Sequence, residues 1–463
     1  APAAAAAARS HTGVVAGPYA ALRAALRQAG VVQVTRSDEL FHVGETLASQ
    51  PSVPPHEGVA VLSDGGGQGA LAVDALEEAG VRPAALSQAT RRALRRLLGP
   101  AAAVDGPVDL AGAADADPRV FARALDLLCG DPEVGAVLVV GLFGGYGLRF
   151  DASLSPAEEA AAGAMAAVAT GTGTALVVHS MYAADAPAPL LRLREAGVPV
   201  VESLEVACRS VAALVERGHH EAGRPWRPAP LPPGSDAGPP AVLGEPEARE
   251  LMEASGVPIV AATLCPDADA AAAAARAAGG PVAVKAVAEG LVHKSDVGAV
   301  ALGVEGEASV REAFERVTRA ARAKEGAAGG GRGALVSPML PPPLLELLVG
   351  ARRDEGLGTV LTIGAGGTWV EVLEDVSLRV LPVDRSDVRA MLSELRVAPL
   401  LRGARGRPPA DEDAIVDAVL ALVRLMEAQG EVIEADLNPL FAGTEGAVAV
   451  DARVVVRRRK GPG

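Results

Sequence analysis

A chain of 463 residues is long enough for two or three separate cores, and with 49% hydrophobic but only 2% aromatic residues those cores should be packed from alanine and leucine. The formal net charge of −14 argues against a surface for nucleic acid or for an anionic membrane. Cys129, Cys208 and Cys265 lie far apart and form no CxxC pair, which fits a reduced, cytoplasmic protein with structural thiols. The most apolar stretch, residues 160–182, is broken by Gly and Thr and preceded by Glu158 and Glu159, so no transmembrane span is expected. The alanine-rich start has neither the charged region nor the long apolar core of a signal peptide.

In chain order, Ser10-His11-Thr12-Gly13 precedes an apolar helical segment beginning near Pro18. Residues 59–63 read as a short buried strand, followed by Gly65-Gly66-Gly67-Gln68-Gly69 and a helix to about residue 79. Further strands are expected at 84–87, 134–140, 175–179 and 198–201, with helical patterns between them. Short apolar runs alternating with helices predict a parallel sheet covered on both faces. A Pro/Gly-rich stretch at 219–240 reads as a linker. Beyond it, helices at 245–254, 386–394 and 411–429 accompany strands near 259–264, 282–286, 298–304, 334–339, 344–352, 359–363 and 447–450, an α+β pattern.

Six groups of residues are candidates for chemistry. Lys285 sits inside the Val/Ala strand 282–286, and a buried ammonium needs an anionic partner, of which nucleotide phosphate is one. A dense polar cluster, His293, Lys294, Ser295 and Asp296, follows that strand. Asn438, with Glu434 and Asp436 before it and Asp451 beyond, offers oxygen ligands of the kind magnesium takes. The glycines at 65–69 follow a strand and open a helix, where free N–H groups and the helix dipole suit an anion; a plain tight turn needs glycine too. A second glycine group at 141–147 ends another strand, so the two loops are candidates for one ligand crevice. His11, on a loop of small residues, is either a nucleophile or a surface histidine on spacing alone.

Together these segments resemble the nucleoside-diphosphate-forming acyl-CoA synthetases, a family that includes the ADP-forming acetate–CoA ligases and is related to succinyl-CoA synthetase. Ser10-His11-Thr12-Gly13, with Ala16-Gly17 and Gln28 to Val31, is similar to the phosphohistidine loop of that family. Residues 59–69, 106–110 and 136–145 are similar to its flavodoxin-like ligase domain. Residues 241–456 resemble its ATP-grasp domain through Glu247-Ala248-Arg249-Glu250-Leu251, Lys285, His293 to Asp296, Pro338-Met339, Glu346 to Gly350, Gly364 to Gly367 and Glu434 to Pro439.

The resemblance implies a flavodoxin-like parallel-sheet domain followed by an α+β ATP-grasp domain. Its boundaries are a ligase-domain remnant with the phosphohistidine loop at 1–50, a flavodoxin-like domain at 51–218, the linker at 219–240, an ATP-grasp domain at 241–456 and a basic tail at 457–463. It implies an ADP-forming acid–CoA ligase that uses ATP or ADP, Mg2+ and coenzyme A. His11 would be phosphorylated, and His293 would relay the phosphoryl group. Gly65, Gly66, Gly67 and Gly69 would cradle the phosphohistidine. Lys285, Ser295, Asp296, Pro338, Met339, Glu346, Gly366 and Gly367 would hold the nucleotide, and Asn438 and Asp451 the magnesium. Family members carry a CoA-binding domain ahead of the histidine loop, so a separate CoA-binding subunit or a homo-oligomer is an expected partner, alongside a small carboxylic acid or acyl-CoA. Asp64-Gly65 stands where relatives usually have Asn-Ala, and Glu355 where they have proline. Two other readings share parts of this pattern: an ATP-grasp carboxylate–amine ligase without phosphohistidine, and a non-catalytic nucleotide-binding regulatory module.

Overall fold

In the computed structural model the described residues are 18–100, 102–223, 225–232, 238–288, 297–325, 333–367 and 375–457. They form two units, one within residues 29–225 and the other from 18–28 together with residues between 226 and 457. The first described helix, α1 (Pro18–Gln28), therefore belongs with the C-terminal unit, not with the strands that follow it. Expectations placed on His11 and on residues 293–296 lie outside the described residues.

Residues 29–225 contain α2 (Ser37–Ser49), β1 (Gly58–Ser63), α3 (Gly66–Glu78), α4 (Gln88–Leu98), β2 (Val108–Asp109), α5 (Val120–Cys129), β3 (Val134–Gly141), α6 (Ser155–Thr172), β4 (Ala175–Ser180), α7 (Ala188–Glu195), β5 (Val200–Val201) and α8 (Leu204–Ala222). The strands pair in parallel in the order β2-β1-β3-β4-β5, a flavodoxin-like sheet. Every residue of β1, β3 and β4 is buried, because helices cover both faces and leave no polar side to alternate with. Alternate side chains sort to two cores. Leu62, Val137, Val139 and Val178 pack with Leu125, Met165 and Leu190, while Val61, Leu138, Val140 and Val177 pack with Leu76, Val211 and Leu214. The expected strand at 84–87 does not form. Pro83 makes a single bridge to Val59, and the Ser87 hydroxyl instead accepts from the Thr90 N–H to start α4.

The C-terminal unit adds β6 (Pro240–Val242), α9 (Glu245–Ala254), β7 (Thr263–Cys265), α10 (Ala268–Ala278), β8 (Val282–Ala286), β9 (Val300–Val304), α11 (Glu307–Glu325), β10 (Ala334–Pro338), β11 (Leu345–Asp354), β12 (Gly358–Ala365), β13 (Val376–Val380), α12 (Arg385–Glu394), α13 (Glu412–Ala428), β14 (Val432–Ala442), β15 (Ala447–Ala449) and β16 (Ala452–Arg457). A four-stranded antiparallel sheet, β7-β10-β8-β9, packs on α10 and α11. A larger antiparallel sheet, β13-β12-β11-β14-β16-β6 with β15 beside β14, packs on α9, α12 and α13. The expected strand at 259–264 is shorter: Ile259 makes one bridge to Ala449, and regular pairing begins at Thr263.

The β13 edge is closed by α1. The Gln28 amide oxygen accepts from Val380 N at 2.7 Å and its NH2 donates to Val380 O at 2.9 Å, so one side chain satisfies both edge groups of that residue. Trp226 Nε1 donates to the same carbonyl at 3.2 Å. The helix that follows the Ser10–Gly13 motif is thereby anchored on the larger sheet.

Candidate functional site

In β8, Val282, Val284 and Ala286 face the core under α10 and α11, and the strand period sends Lys285 to the opposite face. Its side chain is 9% exposed. The ammonium donates to Val450 O at 3.0 Å and stands 3.4 Å from Asp451 Oδ2 and 3.9 Å from Glu245 Oε1. Burial of a lysine is tolerable only with such partners, and Val450 and Asp451 come from more than 160 residues away.

Asn438 joins this group through strand register. The β14–β16 pairing places Leu437 opposite Ala452, and the β14–β15 pairing places Leu440 opposite Ala449. The same register continues between them, where Val450 N donates to Pro439 O at 3.0 Å, so Asn438 lies across from Asp451. Asp451 Oδ1 accepts from Ala452 N at 2.9 Å. An amide and a carboxylate supply hard oxygen donors in the number magnesium takes from a protein when phosphates and water complete its shell. Among the described residues no group of three or more His, Cys, Asp or Glu side chains is arranged to hold a metal. Glu434 and Asp436 are engaged elsewhere: Arg453 Nη1 is 2.5 Å from Glu434 Oε1 and 3.4 Å from Asp436 Oδ2.

The remaining nucleotide candidates fall into two places in this unit. Pro338 pairs with Val282, three residues along β8 from Lys285, and Met339 N donates to Pro281 O at 2.9 Å. Glu346 on β11 is brought against Gly366 and Gly367: Gly366 N donates to Glu346 O at 2.7 Å. A Cβ at Gly366 would lie 2.8 Å from the Glu346 carbonyl carbon, and one at Gly367 would lie 2.7 Å from Glu346 Oε2.

In the flavodoxin-like unit, Gly65 caps α3 with extended backbone, and Gly66, Gly67 and Gly69 lie in its first turn and a half. Gly69 is packed, since a Cβ there would come within 2.6 Å of Ser63 Oγ and 3.0 Å of Pro107 Cγ. At Gly65 and Gly67 a Cβ would meet no atom within 4 Å, and neither residue has positive φ. The chain's own packing does not require glycine at those two positions, and the first N–H groups of a helix have no intrahelical partner to compete with an anion.

The second glycine loop is filled from within. Asp64, which directly precedes the α3 glycines in sequence, turns the other way: its Oδ2 accepts from Leu142 N at 2.9 Å and from the Tyr146 hydroxyl at 2.8 Å. Gly141 has φ of 135°, and a Cβ there would lie 1.9 Å from Asp64 Oδ1. Glu158, only 1% exposed, accepts from Gly144 N at 2.5 Å, Tyr146 N at 3.2 Å and Gly147 N at 3.3 Å. His179 Nδ1 accepts from Gly141 N at 3.3 Å. Burial pushes both carboxyl pKa values up and the imidazole down. The N–H groups of Gly141, Leu142, Gly144, Tyr146 and Gly147 are thus held by the protein's own side chains. Sequence reasoning missed Tyr146 as a partner of Asp64, Glu158 as a loop anchor, and Glu245. The buried i,i+4 pair Glu245/Arg249 at a helix start was the available signal for the last.

A five-stranded parallel sheet followed by two antiparallel sheets with a buried lysine and an Asn/Asp pair defines a flavodoxin-like domain joined to an ATP-grasp domain. Residues 237–456 match the family model of the ATP-grasp domain, and residues 1–47 match that of the succinyl-CoA ligase like flavodoxin domain. The chain is 31% identical to trans-feruloyl-CoA synthase FCS1 of an unknown prokaryotic organism, over 97% of this chain and 63% of that protein. It is 32% identical to acetate–CoA ligase [ADP-forming] I of Archaeoglobus fulgidus, over 97% of this chain and 64% of that protein. To the beta subunit of acetate–CoA ligase [ADP-forming] II of Pyrococcus furiosus it is 37% identical, over 46% of this chain and 90% of the subunit. The chain spans less than two thirds of the length of the first two relatives. It belongs to the ADP-forming acyl-CoA synthetase family.

No helix among the described residues is long and apolar enough to cross a membrane. Cys129, Cys208 and Cys265 are buried and free, and burial pushes the first two thiols up to about 11 and about 12.

Proposed function

We propose that this chain performs the phosphoryl-transfer half of an ADP-forming acid–CoA ligase, interconverting acyl-CoA, ADP and phosphate with a carboxylic acid, ATP and coenzyme A. In the ATP-forming direction phosphate displaces coenzyme A from the acyl-CoA, giving an acyl phosphate. His11 then takes the phosphoryl group and releases the acid, and ADP takes it from His11. Lys285 binds and orients the nucleotide phosphates, with Pro338, Met339, Glu346, Gly366 and Gly367 around the nucleotide. Asn438 and Asp451 would hold Mg2+, which when bound neutralises phosphate charge. The N-terminal turn of α3, at Gly65, Gly66, Gly67 and Gly69, would cradle the phosphorylated histidine through its backbone N–H groups. His293, Ser295 and Asp296 are assigned to the nucleotide end of the transfer on the family resemblance. Coenzyme A and the acid would be handled with a CoA-binding domain or subunit; the Pyrococcus furiosus acetate–CoA ligase II has separate alpha and beta subunits.

The convergence of Lys285, Asn438 and Asp451 inside the segment matching the ATP-grasp model carries this reading. Its test is incubation with Mg·ATP labelled in the γ-phosphate, for wild type, His11→Ala and His293→Ala. Acid-labile protein-bound label that disappears in His11→Ala supports the phosphohistidine route, and loss in His293→Ala as well supports a relay. Nucleotide binding without any label, even with a CoA-binding subunit added, sinks the route and leaves the amine-ligase or regulatory reading.

A further inference from the structure

Glu245 is the first residue of α9, and it does not cap that helix: the Gly244 N–H is taken by Glu247 Oε2 at 3.2 Å. Its side chain is 4% exposed, and one oxygen is shared by two buried cations. Oε1 lies 3.7 Å from Arg249 Nη1 and 3.9 Å from Lys285 Nζ. A surface i,i+4 pair would need neither this burial nor a third partner from another sheet. Arg249 is 6% exposed and lies one helical turn from Glu245, so its guanidinium is buried beside the same carboxylate oxygen. Asp451, the other carboxylate near Lys285, is the more exposed of the two at 36%.

We propose that Glu245 is a positioning residue of the nucleotide site: anchored by Arg249, it holds the Lys285 ammonium so that Asp451 is left for the metal. The inference rests on the nucleotide reading given above. One carboxylate serving both Lys285 and Mg2+ would be divided between two cations. With Glu245 as a second, buried counter-charge, Lys285 keeps an anionic neighbour when Asp451 turns to magnesium. Remove the Glu245 charge and Lys285 competes with the metal for Asp451. Glu245 touches no reacting atom and acts through Lys285.

The test is calorimetric binding of the non-hydrolysable analogue AMPPCP to the full chain across a series of free Mg2+ concentrations. Wild type, Glu245→Gln and Glu245→Asp are compared, with melting temperatures alongside. Glu245→Gln keeps shape but not charge, and its midpoint in Mg2+ should rise by about tenfold, the low end of what outer partners contribute to metal affinity. Glu245→Asp, which keeps the charge, should recover most of that shift. A folded Glu245→Gln with an unchanged Mg2+ midpoint overturns the inference, and so does a loss of affinity that is the same at every Mg2+ concentration. If Glu245→Gln does not fold, Arg249→Lys carries the test, since it keeps a cation but loses the planar guanidinium; the midpoint should rise by about threefold, and no rise overturns the inference. Absence of AMPPCP binding by wild type would instead remove the nucleotide reading itself, and this inference with it.

Discussion

Two clusters of charge, one in each unit, are built in opposite ways. In the flavodoxin-like unit one cluster centres on two acids, Asp64 and Glu158, whose partners are mainly backbone N–H groups of one loop. In the ATP-grasp unit the other cluster centres on two buried bases, Lys285 and Arg249, whose charged partners are the carboxylates of Glu245 and, for Lys285, also Asp451. A carboxylate clasped by successive main-chain donors leaves only if the loop opens. A carboxylate facing a lysine can be exchanged for a phosphate by rotating side chains. The contrast agrees with a structural lock at the richer glycine loop, 141–147, and with the ligand contacts proposed at Lys285 and at the first turn of α3.

That contrast can be broken at its strongest point with Lys285→Met. Removing the base from buried carboxylates should lower AMPPCP affinity by roughly a hundredfold, within the range for truncating one partner of a buried charge pair, and calorimetry reads it directly. Retained affinity would show that the lysine is structural. Next in size, Glu158→Ala should destabilise the flavodoxin-like unit by about 2–4 kcal/mol, because three buried N–H groups lose their acceptor; thermal melting by circular dichroism checks it, and nucleotide affinity should stay as in wild type. A smaller effect separates packing from ligand contact on one helix. Gly69→Ala should cost about 1–3 kcal/mol of stability through its clash with Ser63 and Pro107. Gly67→Ala should melt at or slightly above wild type while reducing phosphohistidine label; a Gly67→Ala protein that labels normally would remove the α3 cradle from the mechanism.

The smallest expected effect depends on pH. Burial raises the Asp64 pKa in the fold, so its neutral form is favoured there. Its contribution to stability is fully present below the ordinary aspartate pKa of about 3.9 and is lost as pH rises through the raised folded value. Asp64→Asn keeps an acceptor for Leu142 N and the Tyr146 hydroxyl without the charge. Its melting temperature should therefore gain on wild type as pH rises above the ordinary aspartate value, and a gap that does not change with pH would contradict the burial argument.

What the sequence determined by itself was local or periodic. The helix at 245–254 and the strand at 282–286 stand where the apolar spacing puts them, and a lysine inside that strand already demanded an anionic partner. The strand–glycine–helix unit at 58–78 was equally legible. Tertiary structure alone decided which groups meet. Glu434 and Asp436 precede Asn438 in sequence, yet strand register gives them to Arg453 and brings Asp451 to Asn438 instead. Asp64 turns from the neighbouring helix to a loop 78 residues on. Glu245 reaches Lys285 only because α9 and β8 converge, and α1 leaves its neighbours in sequence to close the β13 edge. Propensity and periodicity act over a few residues, whereas the partner of a buried charge is set by register and chain crossing, which no short window of sequence contains.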